Sequence, residues 1–258
     1  MAVPFFKEIV MERITSSQNP LLRHIRKLQS SGAYRRQWGE FVGDGFKLLE
    51  EALRWYPRIK TVIVSEDCTL PPLPDWVRRV VIPASLMMSL SEMKTPQGVL
   101  FTCELPKAEA PKVEKGMLLL DRIQDPGNLG TILRTADALG IKVLLTNGCA
   151  DAYSLKTLRA SMGAVLRTTP RSASMDSILT ACKENGIPIA ATALTRDAVD
   201  IRTITPQEYL MVIGSEGQGV CKALLAAAQT HVIIPMEPRC ESLNAAVAAA
   251  IVMWQMKR

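Results

Sequence analysis

Three short segments in the second half of the chain carry residue types that could bind a ligand and act on it. They are N-L-G-T-I-L-R at 128–134, G-S-E-G-Q-G at 214–219 and I-P-M-E-P-R-C-E-S-L-N at 234–244. Each follows an apolar, strand-like run and leads into a stretch with helical spacing. Open α/β sheets bind ligands at such junctions, at the carboxyl ends of their strands. The three segments are therefore predicted to hold one ligand.

The second segment has three glycines in six residues, which allow tight turns and close approach of the backbone to a ligand. Their spacing is G-x-x-G-x-G, whereas dinucleotide-binding loops have G-x-G-x-x-G. No acidic residue suited to binding a ribose follows about 20 residues later. A nicotinamide-dependent oxidoreductase is therefore disfavoured. A plain strand-to-helix turn explains these glycines equally well.

The third segment ends at Ser242, a residue type favoured at helix N-caps, and the ten residues at 245–254 carry no charge. A helix that is apolar on all sides must be buried. A subunit interface and an intramolecular core remain equally open as its environment.

Apolar runs alternate with helical stretches throughout this half of the chain. Strands are predicted at 117–120, 142–146, 188–191, 209–213 and 232–234, and helices beginning near 128, 154, 177, 219 and 242. Continuous apolar strands between helices indicate a parallel sheet that is covered on both faces.

A charged segment with two prolines, 104–115, is predicted to be a linker between a domain at 1–103 and a domain at 116–258. In the first domain, Asn19 and Pro20 are typical of a helix start, and an apolar stripe follows from Leu21 to Leu28. A second helix is predicted around 46–53, and short β-rich runs lie at 61–64, 80–82 and 99–102. This pattern indicates a small α/β domain.

Composition excludes several classes of protein. The chain has 258 residues, of which 48% are hydrophobic and 22% charged, as in globular proteins. No apolar run is long enough to span a bilayer, and the N-terminus lacks a leader pattern, so we expect a cytoplasmic protein, with an organelle left open. Six cysteines without a C-x-x-C pair and only two histidines argue against a metal site.

Basic residues are unevenly distributed in a chain of net charge +6. The stretches 13–36 and 152–175 contain several arginines and lysines and no acidic residue. Solvated helix faces explain either stretch alone, but the two together with a ligand-binding pattern favour a nucleic-acid partner. The candidate RNA-binding residues are Arg23, Arg26, Lys27, Arg35, Arg36, Lys156 and Arg159.

The three segments together resemble the three ordered motifs of the SpoU (TrmH-like) RNA ribose 2′-O-methyltransferases, which belong to the SPOUT superfamily. The segment 156–164 is similar to the part of the family between its first two motifs. The resemblance covers residue 117 to the end of the chain. The N-terminal half is similar to the family's small substrate-binding domain, which is related in fold to a ribosomal protein.

This resemblance implies an α/β fold with a SPOUT-type parallel sheet and a C-terminal trefoil knot, preceded by a small α/β substrate-binding domain. It also implies S-adenosylmethionine as the cofactor and a homodimer formed through the C-terminal domain, with the helix at 242–254 in the interface. RNA is the implied substrate. Ribosomal RNA is favoured over transfer RNA because the N-terminal domain is similar to that of the members acting on ribosomal RNA. Neither a membrane nor a metal is implied.

The resemblance also assigns roles to individual residues. Arg134 corresponds to the family's catalytic residue, and Asn128, Glu216, Ser242 and Asn244 would orient it or the ribose. Because a guanidinium is a poor base, we expect Arg134 to stabilise the forming alkoxide while a substrate phosphate takes the proton. The residues implied in cofactor binding are Gly214, Ser215, Glu216, Gly217, Ile234, Met236, Ser242, Leu243 and Asn244.

The third segment departs from the family pattern. Glu237-Pro238-Arg239-Cys240 stands where members usually carry glycines near 238 and 239, and alanines follow S-L-N. This departure supports one alternative, an RNA-binding or assembly factor that keeps the fold without catalysis. Titration with S-adenosylmethionine distinguishes the two hypotheses.

Overall fold

A computed structural model describes residues 11–107, 109–110, 112–237 and 239–258. The chain divides into two compact units, one ending at Pro106 and one beginning at Lys107. Pro238, part of the departure in the third segment, lies outside the described residues.

The first unit is built on a mixed five-stranded sheet with the order β1-β4-β3-β5-β2. β3 pairs in parallel with β4 and antiparallel with β5, and β5 pairs antiparallel with β2. The predicted small α/β domain is confirmed. Its elements are β1 (Glu12–Arg13), α1 (Pro20–Ser30), α2 (Gly32–Trp38), β2 (Glu40–Asp44), α3 (Phe46–Trp55), β3 (Ile59–Ser65), β4 (Arg78–Ile82), α4 (Ala84–Leu90) and β5 (Val99–Glu104).

Helix α1 starts as the sequence predicts. The side chain of Asn19 accepts a hydrogen bond from the backbone N–H of Leu21 at 2.8 Å, and Pro20 occupies the first helical position. Leu22, Ile25 and Leu28 are fully buried. The helix therefore keeps one face in the core and leaves its basic residues on the other faces.

The second unit is built on a seven-stranded sheet with the order β10-β12-β9-β11-β6-β7-β8, in which every pair is parallel. The predicted parallel sheet is confirmed, and the carboxyl ends of its strands meet at one edge. The strands are β6 (Leu118–Asp121), β7 (Val143–Thr146), β8 (Arg171–Ala173), β9 (Ile189–Thr192), β10 (Val199–Asp200), β11 (Leu210–Gly214) and β12 (Thr230–Ile233).

Helices cover this sheet, and apolar residues of β6, β9 and β11 are buried beneath them. The α-helices are α5 (Pro126–Leu139), α6 (Leu155–Ala160), α7 (Ala164–Thr168), α8 (Met175–Glu184), α9 (Lys222–Ala227) and α10 (Ala245–Gln255), with 3₁₀ turns at Ile201–Thr203 and Pro206–Glu208. Along the described ranges, no helix has both the length and the apolar character that crossing a bilayer requires. The trefoil knot stays a prediction.

One prediction about the last helix is wrong. Ser242 is not its N-cap: the side chain of Asn244 takes that place and accepts from the backbone N–H groups of Ala246 and Val247. In the single chain Val247, Ile251 and Trp254 are exposed, so an intramolecular core does not cover the whole helix, and its place in a subunit interface stays a prediction. These three residues follow helical spacing, so they form one apolar stripe on the surface of the unit.

Candidate active site

The three segments meet through their side chains. Asn128, in the first turn of α5, donates its amide to the carboxylate of Glu216, 88 residues away. Asn244 donates its own amide to the side-chain oxygen of Asn128 at 3.1 Å. One residue from each segment therefore joins a single hydrogen-bonded chain, which we call the amide–carboxylate cluster (Asn128, Glu216 and Asn244).

The start of α5 fixes the first member of this cluster. Asp125 caps the helix by accepting from the backbone N–H of Asn128 at 2.8 Å. The ammonium of Lys156 lies 3.3 Å from the same carboxylate. The backbone hydrogen bond and the neighbouring cation lower the pKa of Asp125. The cap is therefore ionised at neutral pH, and it places Lys156 beside the cluster.

Gly130 sets the distance between α5 and α6. A side chain at this position would put a Cβ atom 2.5 Å from the Cβ of Ala160 and 2.8 Å from the carbonyl oxygen of Thr157. Only glycine fits this contact. The segment 156–164, which the sequence links to the first two motifs, is therefore held directly against the helix that carries Asn128.

The glycine-rich loop, residues 214–219, folds back on the end of β11. The N–H of Gly219 donates to the carbonyl of Ser215 at 2.9 Å, and Gly219 is left-handed with φ of 64°. A Cβ on Gly214 would lie 2.1 Å from the carbonyl carbon of Gly219. The turn therefore requires glycine at both ends, and helix α9 begins only at Lys222 rather than near 219 as predicted.

Two residues that the sequence analysis missed hold this loop. Arg122 has the left-handed φ of 56°, and its guanidinium donates to the side-chain oxygen of Gln218 at 2.8 Å and to the carbonyl of Gly219 at 3.2 Å. Asp121 is fully buried and accepts from the backbone N–H of Cys221 at 2.8 Å. The sequence signal that could have identified these two residues is a charged pair directly after an apolar run.

A cleft of about 530 Å³ lies at the carboxyl edge of the sheet. All the predicted cofactor-binding residues except Asn244 line it. Its volume is in the range of about 300–1,000 Å³ that is usual for small-molecule sites. The sequence analysis missed the wall formed after β9. The residues missed there are Thr192, Ala193, Leu194 and Thr195.

Arg134 takes no part in the hydrogen bonds of the cluster in the single chain. It is exposed on α5, six positions after Asn128, which puts it about 120° around the helix. It is not among the residues that line the cleft. Within the described ranges its guanidinium makes no hydrogen bond or ion pair.

One of the candidate RNA-binding residues is wrong. Arg35 is buried, with 5% of its surface exposed, and its guanidinium donates to the carbonyl oxygens of Leu28 and Gln29 at 2.5 and 3.0 Å. It therefore ties α2 to the end of α1, where the last carbonyls of a helix lack partners. The candidates that keep at least part of their surface exposed are Arg23, Arg26, Lys27, Arg36, Lys156 and Arg159.

No group of three or more histidine, cysteine or acidic side chains able to hold a metal occurs in the described part of the chain.

Comparison with known proteins gives matches to both units. The model of the SpoU rRNA Methylase family matches residues 115–254, and that of the MRM3-like substrate binding domain matches residues 19–100. The 23S rRNA (guanosine(2553)-2′-O)-methyltransferase RlmP of Bacillus subtilis is 32% identical over 249 residues, covering 96% of this chain and 100% of that protein. The human mitochondrial rRNA methyltransferase 3 is 28% identical over 301 residues, covering 92% and 72%.

Solved structures extend this similarity to the whole fold. The AdoMet-bound rRNA methyltransferase from Sinorhizobium meliloti matches with a TM-score of 0.84 and 28% identity, covering 96% of this chain and 98% of that one. The SpoU methyltransferase AviRb from Streptomyces viridochromogenes, in complex with AdoMet, matches with a TM-score of 0.82 and 25% identity, covering 93% and 98%. The chain therefore belongs to the SpoU rRNA methylase family.

Proposed function

We propose that this SpoU-family methyltransferase transfers a methyl group from S-adenosylmethionine to a ribose 2′-hydroxyl of ribosomal RNA. The observation that carries the proposal is the amide–carboxylate cluster, in which one side chain from each of the three segments meets at the cleft. Glu216 belongs both to this cluster and to the cleft wall. The two features therefore form one site.

The cleft suits S-adenosylmethionine in size and chemistry. Its wall combines apolar side chains with the tight backbone of the glycine-rich loop, which offers amide and carbonyl groups at close range. Residues around Gly214, Met236 and Leu243 would hold the adenine and methionine parts through these groups. When bound, the cofactor supplies an electrophilic methyl group, so the protein has mainly to bind and orient the reactants.

Arg134 would act on the RNA. A guanidinium stays protonated, so it stabilises a developing negative charge on the 2′-oxygen rather than removing the proton. We assign the proton to a phosphate of the substrate. Asn128 and Asn244 would orient the ribose by hydrogen bonds, and Ser242 lies in the same cleft wall.

Ribosomal RNA is the proposed substrate. The B. subtilis and human relatives are both named for methylation of ribosomal RNA, and the first unit matches a substrate-binding domain named after one of them. Contacts to phosphates would come from the exposed candidate residues of the two basic stretches. A substrate of this kind is present wherever ribosomes are made, and the cytoplasm is the compartment we propose.

A homodimer would cover the apolar stripe of Val247, Ile251 and Trp254. These residues lie on one side of α10, and Trp254 has 63% of its surface exposed. Large exposed apolar side chains grouped in this way mark interaction sites. A second copy of the chain brings the same stripe to the contact, as a two-fold interface requires.

The test is titration of the full chain with S-adenosylmethionine, followed by methyl transfer to protein-free ribosomal RNA and to transfer RNA. The proposal expects saturable cofactor binding and incorporation into ribosomal RNA at a ribose. Absence of cofactor binding would instead support the RNA-binding or assembly factor without catalysis. Faster incorporation into transfer RNA would overturn the choice of substrate.

A further inference from the structure

The first unit holds a cavity whose walls combine aromatic rings with basic side chains. It has a volume of about 710 Å³ and is lined by Arg23, His24 and Lys27 of α1 and by Tyr34 and Trp38 of α2, among others. We call it the aromatic pocket. Its volume falls within the usual range for sites that take a small molecule or a nucleotide, about 300–1,000 Å³.

The three rings of the aromatic pocket are fixed against one another. Ring centroids lie 5.5 Å apart for His24 and Tyr34, 5.0 Å for His24 and Trp38, and 5.6 Å for Tyr34 and Trp38. Both nitrogens of His24 have partners: Nδ1 lies 3.0 Å from the hydroxyl of Tyr34, and Nε2 lies 3.4 Å from the carboxylate of Glu40. The rings therefore form a rigid platform.

Trp38 is open to solvent although its ring packs against those of His24 and Tyr34. It is the last residue of α2, and 54% of its surface is exposed. Its ring lines the cavity, so a ligand in the cavity can reach it. Indole rings offer a flat face on which a base can stack.

The charges around the aromatic pocket favour an anion. Lys27 places its ammonium 5.5 Å from the ring centre of Tyr34, and neither Lys27 nor Arg23 forms an ion pair within the described ranges. The one carboxylate in the wall, that of Glu40, is bound by the ammonium of Lys60. Two cations therefore remain for a ligand, next to a surface for stacking.

We propose that the aromatic pocket binds one unstacked base of single-stranded RNA, with the flanking phosphates held by Arg23 and Lys27. The proposal rests on the proposed function, since it names the part of the RNA that the first unit selects. Sites for single strands combine aromatic platforms with a basic groove, and unpaired bases in loops are the usual target of such recognition. A duplex hides its bases and gives the platform nothing to stack on.

The same unit provides a matched control. Trp55, the last residue of α3, is 49% exposed and carries the guanidinium of Arg54 5.0 Å from its ring. It therefore has the same residue type, a similar exposure and a neighbouring cation, but it does not line the aromatic pocket. A general effect of removing a surface tryptophan would appear in both variants.

The experiment measures binding of the full chain to a short single-stranded RNA of mixed sequence, to the same strand without bases, and to an A-form duplex. Loss of one stacking contact should weaken binding of the single strand to Trp38→Ala by about 5- to 150-fold. Binding of the baseless strand and the duplex should not change, and neither should the slope of affinity against salt. Trp38→Phe should keep most of the affinity, and Trp55→Ala all of it.

Lys27→Gln gives a second, independent readout. It should weaken binding of the single strand and of the baseless strand equally, and reduce the log–log salt slope by about 0.7. Equal losses in Trp38→Ala and Trp55→Ala, or an equal loss with the baseless strand, would overturn the proposal. Unchanged RNA binding by Trp38→Ala would also overturn it, in favour of a protein occupant. Titration with S-adenosylmethionine in parallel reports on the proposed function separately.

Discussion

The guanidinium of Arg122 reaches across to the side chain of Gln218, 96 residues later in the chain, and donates to it at 2.8 Å. The same group also donates to the carbonyl of Gly219. This contact links the end of β6 to the glycine-rich loop, so the shape of the cleft depends on a residue outside the three segments.

Replacement of Arg122 should weaken cofactor binding. Loss of a hydrogen bond of this kind costs about 1 kcal/mol, so we expect the Kd for S-adenosylmethionine to rise about fivefold in Arg122→Ala. Arg122→Gly should show the same rise. Titration calorimetry of the two variants checks this, and an unchanged Kd in both would show that the loop needs no such support.

The two variants should differ in stability, because Arg122 has a positive φ that glycine adopts without strain. Arg122→Gly should be more stable than Arg122→Ala by about 1 kcal/mol. Equal Tm values for Arg122→Gly and Arg122→Ala would show that the backbone at position 122 is not strained.

Gly130→Ala should destabilise the second unit. The added methyl would meet Ala160 and the carbonyl of Thr157, and backbone cannot move aside cheaply. Overpacking of this kind costs about 1–3 kcal/mol, which lowers Tm by about 2–4 °C for each kcal/mol. Thermal unfolding measures the loss.

A second substitution, Ala160→Gly, removes only one of these two contacts. The double variant should therefore recover part of the Tm that Gly130→Ala loses. Full recovery would mean that the carbonyl contact is unimportant, and no recovery would mean that the helices do not touch as described.

Stability should depend on the protonation of His231. Its ring lies 3.2 Å from the carbonyl of Leu225 and 2.9 Å from the carboxylate of Asp197, and these two acceptors raise the pKa of His231. Because the folded pKa exceeds the unfolded value of about 6.5, the stabilisation is complete below that value and is lost as pH rises through the folded pKa.

The free energy of unfolding should therefore fall between about pH 6 and pH 8, and His231→Gln should flatten this dependence. Denaturant unfolding at both pH values gives the measurement. The contact between His231 and Asp197 also anchors the loop after β9, and Thr195 of this loop lines the cleft. A wild-type chain that is equally stable at both values would refute this role for His231.

Ile251→Glu should produce a monomer. The residue is the middle member of the apolar stripe on α10, and it is 38% exposed in the single chain. A charge at this position would have to be desolvated when two copies meet, at a cost that the interface cannot offset. Light scattering should report a dimer for the wild type and a monomer for the variant. A wild-type chain that is monomeric at micromolar concentration would show that the apolar stripe is not a dimer interface.

Local patterns predicted the layout of the second unit because its signals lie close together in sequence. Apolar runs between helical stretches located β6, β7, β9, β11 and β12 to within about two residues. β8 and β10 were missed because they have three and two residues and owe their pairing to neighbouring strands rather than to their own composition.

Side-chain roles were harder to predict where two nearby residues suit the same role. Ser242 and Asn244 are both good N-caps, and Asn244 takes the place while it also bonds to Asn128. Arg35 and Arg36 look alike in sequence, yet only Arg35 turns toward the free carbonyls at the end of α1. Tertiary contacts decide both cases.

Arg134 is the residue on which the proposed chemistry depends. Loss of one group that stabilises a developing oxyanion lowers the rate by about 10²–10³. Arg134→Ala should lose this much methyl transfer and bind S-adenosylmethionine as the wild type does, because Arg134 does not line the cleft. Arg134→Lys keeps the charge without the planar fork and should fall between the two.

The most direct measurement maps 2′-O-methyl groups on ribosomal RNA from cells that lack the protein and from cells that express the wild type or Arg134→Ala. We predict that a ribose methyl group is absent without the protein, returns with the wild type and does not return with Arg134→Ala. An identical methylation map in all three would contradict the proposed reaction.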